Sequence, residues 1–244
     1  MRLVFLCKSN KKDNLYFLSI EDSHHLIVNR FNKNERINAI LEEHYGEFIV
    51  KKIYKKIVYG EFIEKGKIRQ PEHCLSLIIG IPKDKALKPI IEKSAEIGVN
   101  CIYLVPTKFS DRKTLNENIL KRLNKISIEG CKQSGNMFLP SIKYLTNFNS
   151  INEIFDLNHS VNILLDERSD KENDFFNLIK NFPIERFKNI FIFIGPEGGI
   201  SEEEKKKLIE KKFISVSLGR NILRTETAAI TSAFFWKTFQ NSQI

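Results

Sequence analysis

The chain contains 244 residues, of which 42% are hydrophobic and 28% charged, a composition typical of a soluble globular protein with one large or two modest cores. Its apolar runs have the length of strands, and the first, Leu3 to Cys7, is too short for a signal peptide, so we exclude a membrane protein. The four cysteines form no CxxC pair and the five histidines lack metal-site spacing, which predicts reduced thiols, a cytoplasmic location and no bound metal.

The first 70 residues form a basic region of short strand-like runs. They contain 14 Lys and Arg against 9 Asp and Glu, so this region holds +5 of the net charge of +9. Polar turns separate the runs, which predicts a small all-β unit. The predicted strands are Leu3 to Cys7, Tyr16 to Ile20, Ile37 to Leu41 and Phe48 to Tyr59.

One of these runs, KKIYKKIVY from Lys51 to Tyr59, interleaves two lysine pairs with apolar and aromatic residues. Such a pattern can neutralise RNA phosphates while a ring stacks on a base. The alternative is a solvated strand face, which is the more common role of a charged run.

From Cys74 onwards, strands alternate with helices. Strands are predicted at Leu75 to Ile81, Cys101 to Val105 and Val161 to Leu165, and two more follow near the C-terminus. Helices are predicted up to Gly98, at Asn116 to Cys131 and near Glu172 to Asn181, with an irregular stretch around Asn136 to Asn158. This alternation predicts an α/β domain with a parallel sheet.

Near the C-terminus the chain passes twice from a strand through a loop into a helix, and each such segment is called a crossing. The first crossing is FIFIGPEGGIS. Its apolar run ends at Ile194, and the glycines that follow allow the main chain to approach a small molecule closely. Ser201 stands three residues before Glu204, which is the spacing of a capping box and predicts a helix from Glu202 to Lys211. A ligand loop is therefore expected at a helix N-terminus.

The charge of that helix start narrows the ligand. A helix N-terminus attracts phosphate, but Glu202, Glu203 and Glu204 would repel a pyrophosphate, and neither GxGxxG nor GxxxxGK[ST] is present. A neutral or cationic ligand fits better. The alternative is that the glutamates only neutralise the helix dipole and the glycines only form a turn.

The second crossing is SLGRNILRTETAA. A strand is predicted from Phe213 to Leu218, and Thr225 can cap a helix that begins at Glu226. Arg224 should project near the ends of the parallel strands, where such sheets bind ligands. Its alternative role is an ion pair with Glu226 or Glu197.

At these residues the chain resembles a known family. GPEGG, LG and ILRTETA, together with LLDE at Leu164 to Glu167, are similar to motifs of the small-subunit ribosomal RNA methyltransferase E family. The resemblance extends upstream to HHLIVNR at His24 to Arg30 and to IPKDKALKPIIEKSAEIGVNCIYLVPTKFSDR, where Lys83, Lys93, Glu96, Gly98 and Arg112 stand at matching positions. The chain departs from the family at Lys132, where an acidic residue is usual, and at Asn136 and Asn221, where arginine is usual.

The resemblance implies a fold, an activity and partners. The fold is α/β, a SPOUT-type trefoil-knotted parallel sheet at 71–244 preceded by a small PUA-like β-barrel that binds RNA at 1–70. The activity is methylation of N3 of a uridine in the decoding region of 16S ribosomal RNA, with S-adenosylmethionine as cofactor. The partners are 16S ribosomal RNA within the small ribosomal subunit and a second copy of the chain in a homodimer.

The resemblance also implies roles for particular residues. Arg224 would stabilise negative charge on the uracil with Glu226 orienting it, and Glu197 is an alternative proton acceptor. The expected cofactor-binding residues are Leu165, Gly195, Pro196, Glu197, Gly198, Gly199, Leu218, Gly219, Ile222, Leu223 and Thr225. The expected RNA-binding residues are Arg30, Lys51, Lys52, Lys55, Lys83 and Arg112.

The final helix, Glu226 to Gln240, bears on the homodimer. Its small residues Ala228, Ala229, Ser232 and Ala233 allow another backbone to lie close, so we expect them in a two-fold interface, with a core helix as the alternative.

Two other classes of function are compatible with parts of the sequence. A non-catalytic RNA-binding protein explains the basic region but leaves the two ligand loops without a role, and a nucleotide-dependent α/β enzyme explains the loops but lacks a phosphate motif. A methyltransferase that acts on another structured RNA is the nearest variant of the main hypothesis.

Overall fold

A computed structural model describes residues 3–69, 71–154, 160–169, 174–180, 183 and 186–242. The chain divides into two compact units. The first comprises Met1–Gln70 and Ile128–Leu139, and the second comprises Pro71–Ser127 and Pro140–Ile244. Residues 128–139, which the sequence analysis assigned to the second domain, therefore pack with the first unit.

The first unit is built on a six-stranded sheet. Its elements are β1 (Leu3–Leu6), β2 (Lys11–Lys12), β3 (Leu15–Phe17), α1 (Ile20–Val28), β4 (Arg36–Leu41), β5 (His44–Tyr54) and β6 (Ile57–Lys67). The strand order is β1-β4-β5-β6-β3-β2, in which β1 is parallel to β4 and the other neighbours are antiparallel. Within the described residues β1 and β2 do not pair to close the sheet, so the PUA-like barrel stays a prediction.

Two of the strands predicted for this unit are wrong in extent. The run from Tyr16 to Ile20 is not one strand, because Ser19 caps helix α1 by accepting a hydrogen bond from the amide of Asp22 at 3.0 Å. The run from Phe48 to Tyr59 is not one strand either, because it folds back at Lys55 and Lys56 into the hairpin of β5 and β6. Lysine pairs carry no turn signature, so this hairpin could not be predicted.

A buried ion pair explains why residues 128–139 belong to the first unit. The ammonium of Lys132 lies 2.6 Å from Asp22 Oδ1 and 2.8 Å from Glu129 Oε1, and both Lys132 and Asp22 are almost inaccessible to solvent. Burial alone would lower the pKa of Lys132, but its two carboxylate partners raise it above the usual value. The lysine that departs from the family pattern is therefore charged and paired.

The second unit is an α/β structure with one parallel sheet, as predicted. Its strands are β7 (Cys74–Gly80), β8 (Cys101–Val105), β9 (Ser141–Tyr144), β10 (Ser160–Leu165), β11 (Asn189–Ile194) and β12 (Phe213–Val216). All neighbours are parallel, in the order β12-β10-β11-β7-β8-β9. The sequence analysis missed β9, a short strand of half-buried and exposed residues at the edge of the sheet. The trefoil knot implied by the resemblance stays a prediction.

Helices separate these strands. They are α2 (Asp84–Ile97), α3 (Glu117–Ser134), α4 (Phe175–Lys180), α5 (Glu202–Glu210) and α6 (Thr225–Ser242). The predicted helix near Glu172 to Asn181 contains α4, but residues 172, 173 and 181 lie outside the described residues. No helix in the described part of the chain is both long enough and apolar enough to cross a membrane.

The small-residue face of α6 packs inside the second unit. Ala229, Ser232 and Ala233 are fully buried, and α6 lies against α2 and the strands β7 and β11. The prediction that this face forms a two-fold interface is therefore wrong. The small side chains instead let α6 approach its own sheet, where Trp236 is also fully buried. The exposed apolar residues of α6 are Phe234 and Phe235.

Candidate active site

A cavity of about 280 Å³ lies at the carboxyl ends of β10, β11 and β12, where open parallel sheets bind ligands. Two loops supply most of its wall: the glycine loop, residues 195–201, and the arginine loop, residues 217–224. The predicted site residues that line it are Leu165, Gly195, Pro196, Glu197, Gly199, Leu218, Gly219, Ile222, Leu223, Arg224 and Thr225. The two crossings thus meet at one cavity.

The glycine loop ends in the predicted capping box. The Ser201 hydroxyl accepts the amide of Glu204, and the Glu204 carboxylate accepts both the amide and the hydroxyl of Ser201. The other oxygen of Glu204 accepts the amide of Lys108 at 2.7 Å, so this buried carboxylate also holds the loop that follows β8. Sequence reasoning found the capping box and missed this second bond, which joins residues far apart in the chain.

Glycines in this loop have different roles. Gly199 has a φ of +74°, a left-handed conformation that favours glycine, and it faces the cavity beside Glu167. Gly198 does not line the cavity, which differs from its predicted cofactor-binding role. A Cβ atom at Gly198 would lie 2.8 Å from the Cβ of Phe109, so this glycine serves close packing against the loop after β8.

Gly80, the last residue of β7, was missed by sequence reasoning. A Cβ atom there would lie 2.5 Å from Cδ of Pro196. The glycine loop can therefore sit on the end of β7 only because residue 80 has no side chain. A glycine at the end of a buried strand was the available signal.

The three glutamates of the first turn of α5 do not line the cavity. Glu202 pairs with Arg168 at 2.6 Å and Glu203 pairs with Lys207 at 3.2 Å, while Glu204 forms the capping box. The prediction that they repel a phosphate in the site is therefore not supported, and they neutralise the helix dipole and nearby cations instead.

Other carboxylates supply the acidic wall of the cavity. They belong to Asp166, Glu167 and Glu197. Asp166 is buried and lies 2.5 Å from the ammonium of Lys205. Burial alone would raise the pKa of Asp166, but Lys205 and the amide of Arg168 lower it below the usual value. Glu167 is exposed and has no ion pair or side-chain hydrogen bond among the described residues.

Glu197 is tied to the start of helix α2. Its two carboxylate oxygens lie 3.2 and 3.3 Å from the amide of Lys83, the N-cap residue whose own side chain makes no capping bond. The carboxylate of Glu197 thus satisfies an amide at a helix N-terminus while its residue lines the cavity.

Thr225 connects the two loops. Its hydroxyl donates to the carbonyl of Gly195 at 3.2 Å, and helix α6 begins at Thr225 itself. The prediction that Thr225 caps the helix from the position before it is therefore wrong. The carbonyl of Arg224 accepts the first helical hydrogen bond, from Ala228 at 2.8 Å, which places Arg224 at the N-cap position.

Arg224 is exposed on the cavity wall and forms no ion pair among the described residues. The alternative role as a partner of Glu226 or Glu197 is thus not realised in this structure. Glu226 is half-buried in the first turn of α6 and does not line the cavity. The guanidinium of Arg224 remains available to a ligand.

The predicted RNA-binding residues lie in both units. Arg30, Lys51, Lys52 and Lys55 are in the first, where Lys51 pairs with Glu61 at 2.9 Å. Lys83 and Arg112 are in the second, where Arg112 pairs with Asp84 at 2.9 Å. No cluster of three or more metal-ligating side chains occurs in the described part of the chain.

Comparisons with known proteins agree with this architecture. A family model described as an RNA methyltransferase domain matches residues 69–236. Ribosomal RNA small subunit methyltransferase E 1 of Borreliella burgdorferi is 29% identical, covering 96% of each chain. Ribosomal RNA small subunit methyltransferase E of Mesomycoplasma hyopneumoniae is 31% identical, covering 91% of this chain and 93% of its own.

A solved structure shares the fold. It is a ribosomal RNA small subunit methyltransferase E from Neisseria gonorrhoeae, bound to S-adenosylmethionine. It matches 97% of this chain and 98% of its own with a TM-score of 0.79 at 21% identity.

Proposed function

The chain belongs to the ribosomal RNA small subunit methyltransferase E family, and from this premise we propose that it methylates N3 of a uridine in the decoding region of 16S ribosomal RNA. The methyl donor is S-adenosylmethionine. The observation that carries the proposal is the cavity between the glycine and arginine loops, with an unpaired Arg224 on its wall.

The residues of the cavity fit a compact cationic ligand. Its wall carries the carboxylates of Glu167 and Glu197, which favour a sulfonium and an amino group, while the charge of Asp166 is balanced by Lys205. Gly199, with its positive φ, lets the main chain approach the ligand closely. Apolar contacts come from Leu165, Ile194, Ile200, Leu218, Ile222 and Leu223. S-Adenosylmethionine supplies an electrophilic methyl group, and the chain supplies position and charge.

The reaction requires the N3 proton of uracil to leave and N3 to face the methyl group in line. Negative charge then develops on the ring and its carbonyl oxygens. Arg224 can donate hydrogen bonds to that charge, a contribution on the order of 10² to 10³ in rate for one such donor. The base must be unpaired or flipped out, because pairing occupies N3.

Two carboxylates of the cavity can receive the proton. Glu197 is held in place by the amide of Lys83, and Glu167 has no partner among the described residues. Substituting each with glutamine should separate them, since loss of the carboxylate that receives the proton slows single-turnover methyl transfer by roughly 10² to 10⁴. Loss of the other carboxylate should leave that rate nearly unchanged.

The proposal includes the partners and the location. The residues that contact the RNA phosphates are Arg30, Lys51, Lys52, Lys55, Lys83 and Arg112. The substrate is the small ribosomal subunit, and the protein acts in the cytoplasm. It acts as a homodimer, in which the exposed Phe234 and Phe235 replace the buried small-residue face as candidate contacts. Light scattering at micromolar concentration tests the homodimer.

Calorimetry with S-adenosylmethionine, followed by mapping of the methylated base in small ribosomal subunits, tests the activity. We expect binding and one new methyl group at uridine N3. Methylation at another position would retain the family and refute the proposed target atom.

A further inference from the structure

A row of aromatic and basic side chains crosses the outer face of the sheet in the first unit. Val58 of β6 faces the core, so its neighbour Tyr59 points to the opposite, outer face. Phe17 of β3 and Lys52 of β5 pair in register with Tyr59 from either side. The rings of Phe17 and Tyr59 lie 6.1 Å apart, and the ammonium of Lys52 lies 5.4 Å from the Tyr59 ring.

The row continues to the tip of the hairpin between β5 and β6. Tyr54 is 58% exposed, and the ammonium of Lys55 lies 5.5 Å from its ring. Lys56 stands beside Lys55 in the loop of this hairpin. We call Phe17, Lys52, Tyr54, Lys55, Lys56 and Tyr59 the aromatic–lysine patch. The patch lies entirely within the first unit.

The backbone at the tip is unusual for its sequence. Lys55 and Lys56 have φ values of +47° and +66°, and a two-residue hairpin loop with two positive φ angles strongly favours asparagine, aspartate and glycine. The neighbouring hairpin of β2 and β3 obeys this rule, since its loop residues are Asp13 and Asn14, with φ of +49° and +66°. Strain that local sequence does not explain points to function.

The charge of the patch is not neutralised. Lys52, Lys55 and Lys56 form no ion pair among the described residues. Lys51, by contrast, pairs with Glu61 on the neighbouring strand. Farther along the same two strands, Glu47 is paired with both Arg36 and Lys65. Three unpaired ammonium groups therefore lie at the same end of the sheet as the exposed ring of Tyr54 and the half-buried rings of Phe17 and Tyr59.

We propose that the aromatic–lysine patch binds an unpaired stretch of RNA. One base stacks on Phe17 and Tyr59, and its neighbouring phosphates contact Lys52, Lys55 and Lys56. Stacking on a protein ring requires an unpaired base, because the bases of a duplex are covered by their neighbours. This inference rests on the proposed function for the identity of the ligand as RNA, and it assigns Phe17, Tyr54 and Tyr59 a role in binding.

The first test separates charge from folding. A double variant, Lys55→Asn with Lys56→Gly, installs the residues that the turn prefers, so its unfolding midpoint should stay level or rise. Its affinity for a fluorescent oligouridylate of about ten nucleotides should fall severalfold. The slope of log affinity against log salt should decrease by roughly 0.7 for each phosphate that the variant no longer neutralises. Asn14→Gly is the matched control at the other tip and should change neither affinity nor slope.

The second test concerns stacking. Tyr59→Leu and Phe17→Leu should each weaken the binding of oligouridylate about tenfold with an unchanged salt slope. Tyr59→Phe keeps the ring and should bind oligouridylate like the unmodified protein. Tyr45→Leu, at the other end of β5, is the control for loss of a half-buried tyrosine. Near-wild-type affinity in both leucine variants, or equal competition by duplex RNA, would overturn the proposal.

These measurements are independent of the activity. If the full-length protein binds no S-adenosylmethionine, the proposed function fails while oligouridylate binding still decides the patch. If the patch variants methylate ribosomal subunits and bind oligouridylate like the unmodified protein, the patch is refuted and the proposed function stands.

Discussion

The two loops that form the cavity are held in different ways. The glycine loop is fixed by the turn bond from Gly199 to Pro196, by the capping box of Ser201, and by bonds from outside the loop to Gly195, Ile200 and Glu204. In the arginine loop, residues 219–223 make no hydrogen bond within the described part of the chain, and Ile222 is 79% exposed. One wall of the cavity is thus preorganised, and the opposite wall is free to close on a ligand.

The largest effect on activity should come from Arg224→Ala in the arginine loop. Turnover should fall on the order of 10² to 10³, because a donor to the developing charge is removed, while cofactor affinity changes far less. Single-turnover methylation of ribosomal subunits measures this. Arg224→Lys keeps the charge without the planar guanidinium and should give an intermediate rate. Unchanged turnover in the alanine variant would contradict the assigned role.

Glu204→Gln, at the capping box that holds the glycine loop, should lower the free energy of unfolding. The substitution weakens the acceptor of three hydrogen bonds, two of them from buried donors, at a cost of roughly 1 to 3 kcal/mol in the free energy of unfolding. Chemical denaturation measures the change. Glu203→Gln, which loses only an exposed ion pair, is the control and should cost less than about 1 kcal/mol. Equal effects in the two variants would show that the glycine loop is not anchored through Glu204.

Gly199→Val should block cofactor binding while the fold survives. No neighbouring atom would clash with the new Cβ, since the nearest is Glu167 Oε1 at 3.7 Å, but a β-branched residue at φ +74° is strained by roughly 1 to 3 kcal/mol. The loop must then shift away from its binding conformation. Calorimetry with S-adenosylmethionine measures the loss of affinity, and circular dichroism checks the fold. Wild-type affinity in a folded variant refutes the assignment.

A smaller effect is expected on the pH dependence of the free energy of unfolding, through Asp166. Its pKa is lowered in the folded protein, so the stability from its ion pair with Lys205 is present above the unfolded pKa and is lost as pH falls through the folded pKa. The difference in unfolding free energy between the unmodified protein and Asp166→Asn should therefore be largest near neutral pH and shrink in acid. A difference that does not change with pH would show that the charge of Asp166 contributes nothing.

The smallest effect, on cofactor affinity, should come from Gly219→Ala in the arginine loop. Gly219 has a φ of +98°, but a Cβ atom there meets nothing within 4 Å, and the surrounding residues can move. Cofactor affinity should change only a fewfold, corresponding to about 1 kcal/mol of backbone strain. A loss of affinity as large as that of Gly199→Val would show that the two loops are equally rigid.

Local signals in the sequence predicted much of the site. Ser201 and Glu204 show the capping box, the apolar runs show the strands, and both loops follow strand ends that a parallel sheet brings to one edge. Those features depend on residues close in the chain or on a general property of parallel sheets.

The remaining features depend on long-range packing. The bond from Lys108 to Glu204 and the contact of Phe109 with Gly198 join segments about 90 residues apart, so spacing cannot indicate them. The small residues of α6 indicate a close neighbour but not which one, and here the neighbour is the chain itself. The fold at Lys55 and Lys56 contradicts the usual turn preference, so propensity gives the wrong answer there.

The assignment of residues 128–139 to the first unit has a consequence for truncated forms of the protein. A fragment that starts at Pro71 would retain Lys132 but discard its buried partner Asp22, leaving the exposed Glu129 as the carboxylate that still pairs with the ammonium. A truncation series or a domain-exchange chimaera cut at residue 70 would therefore measure that broken ion pair along with the intended deletion. Modular engineering of this chain should carry residues 128–139 together with the first 70, or replace Lys132 and Asp22 as a couple.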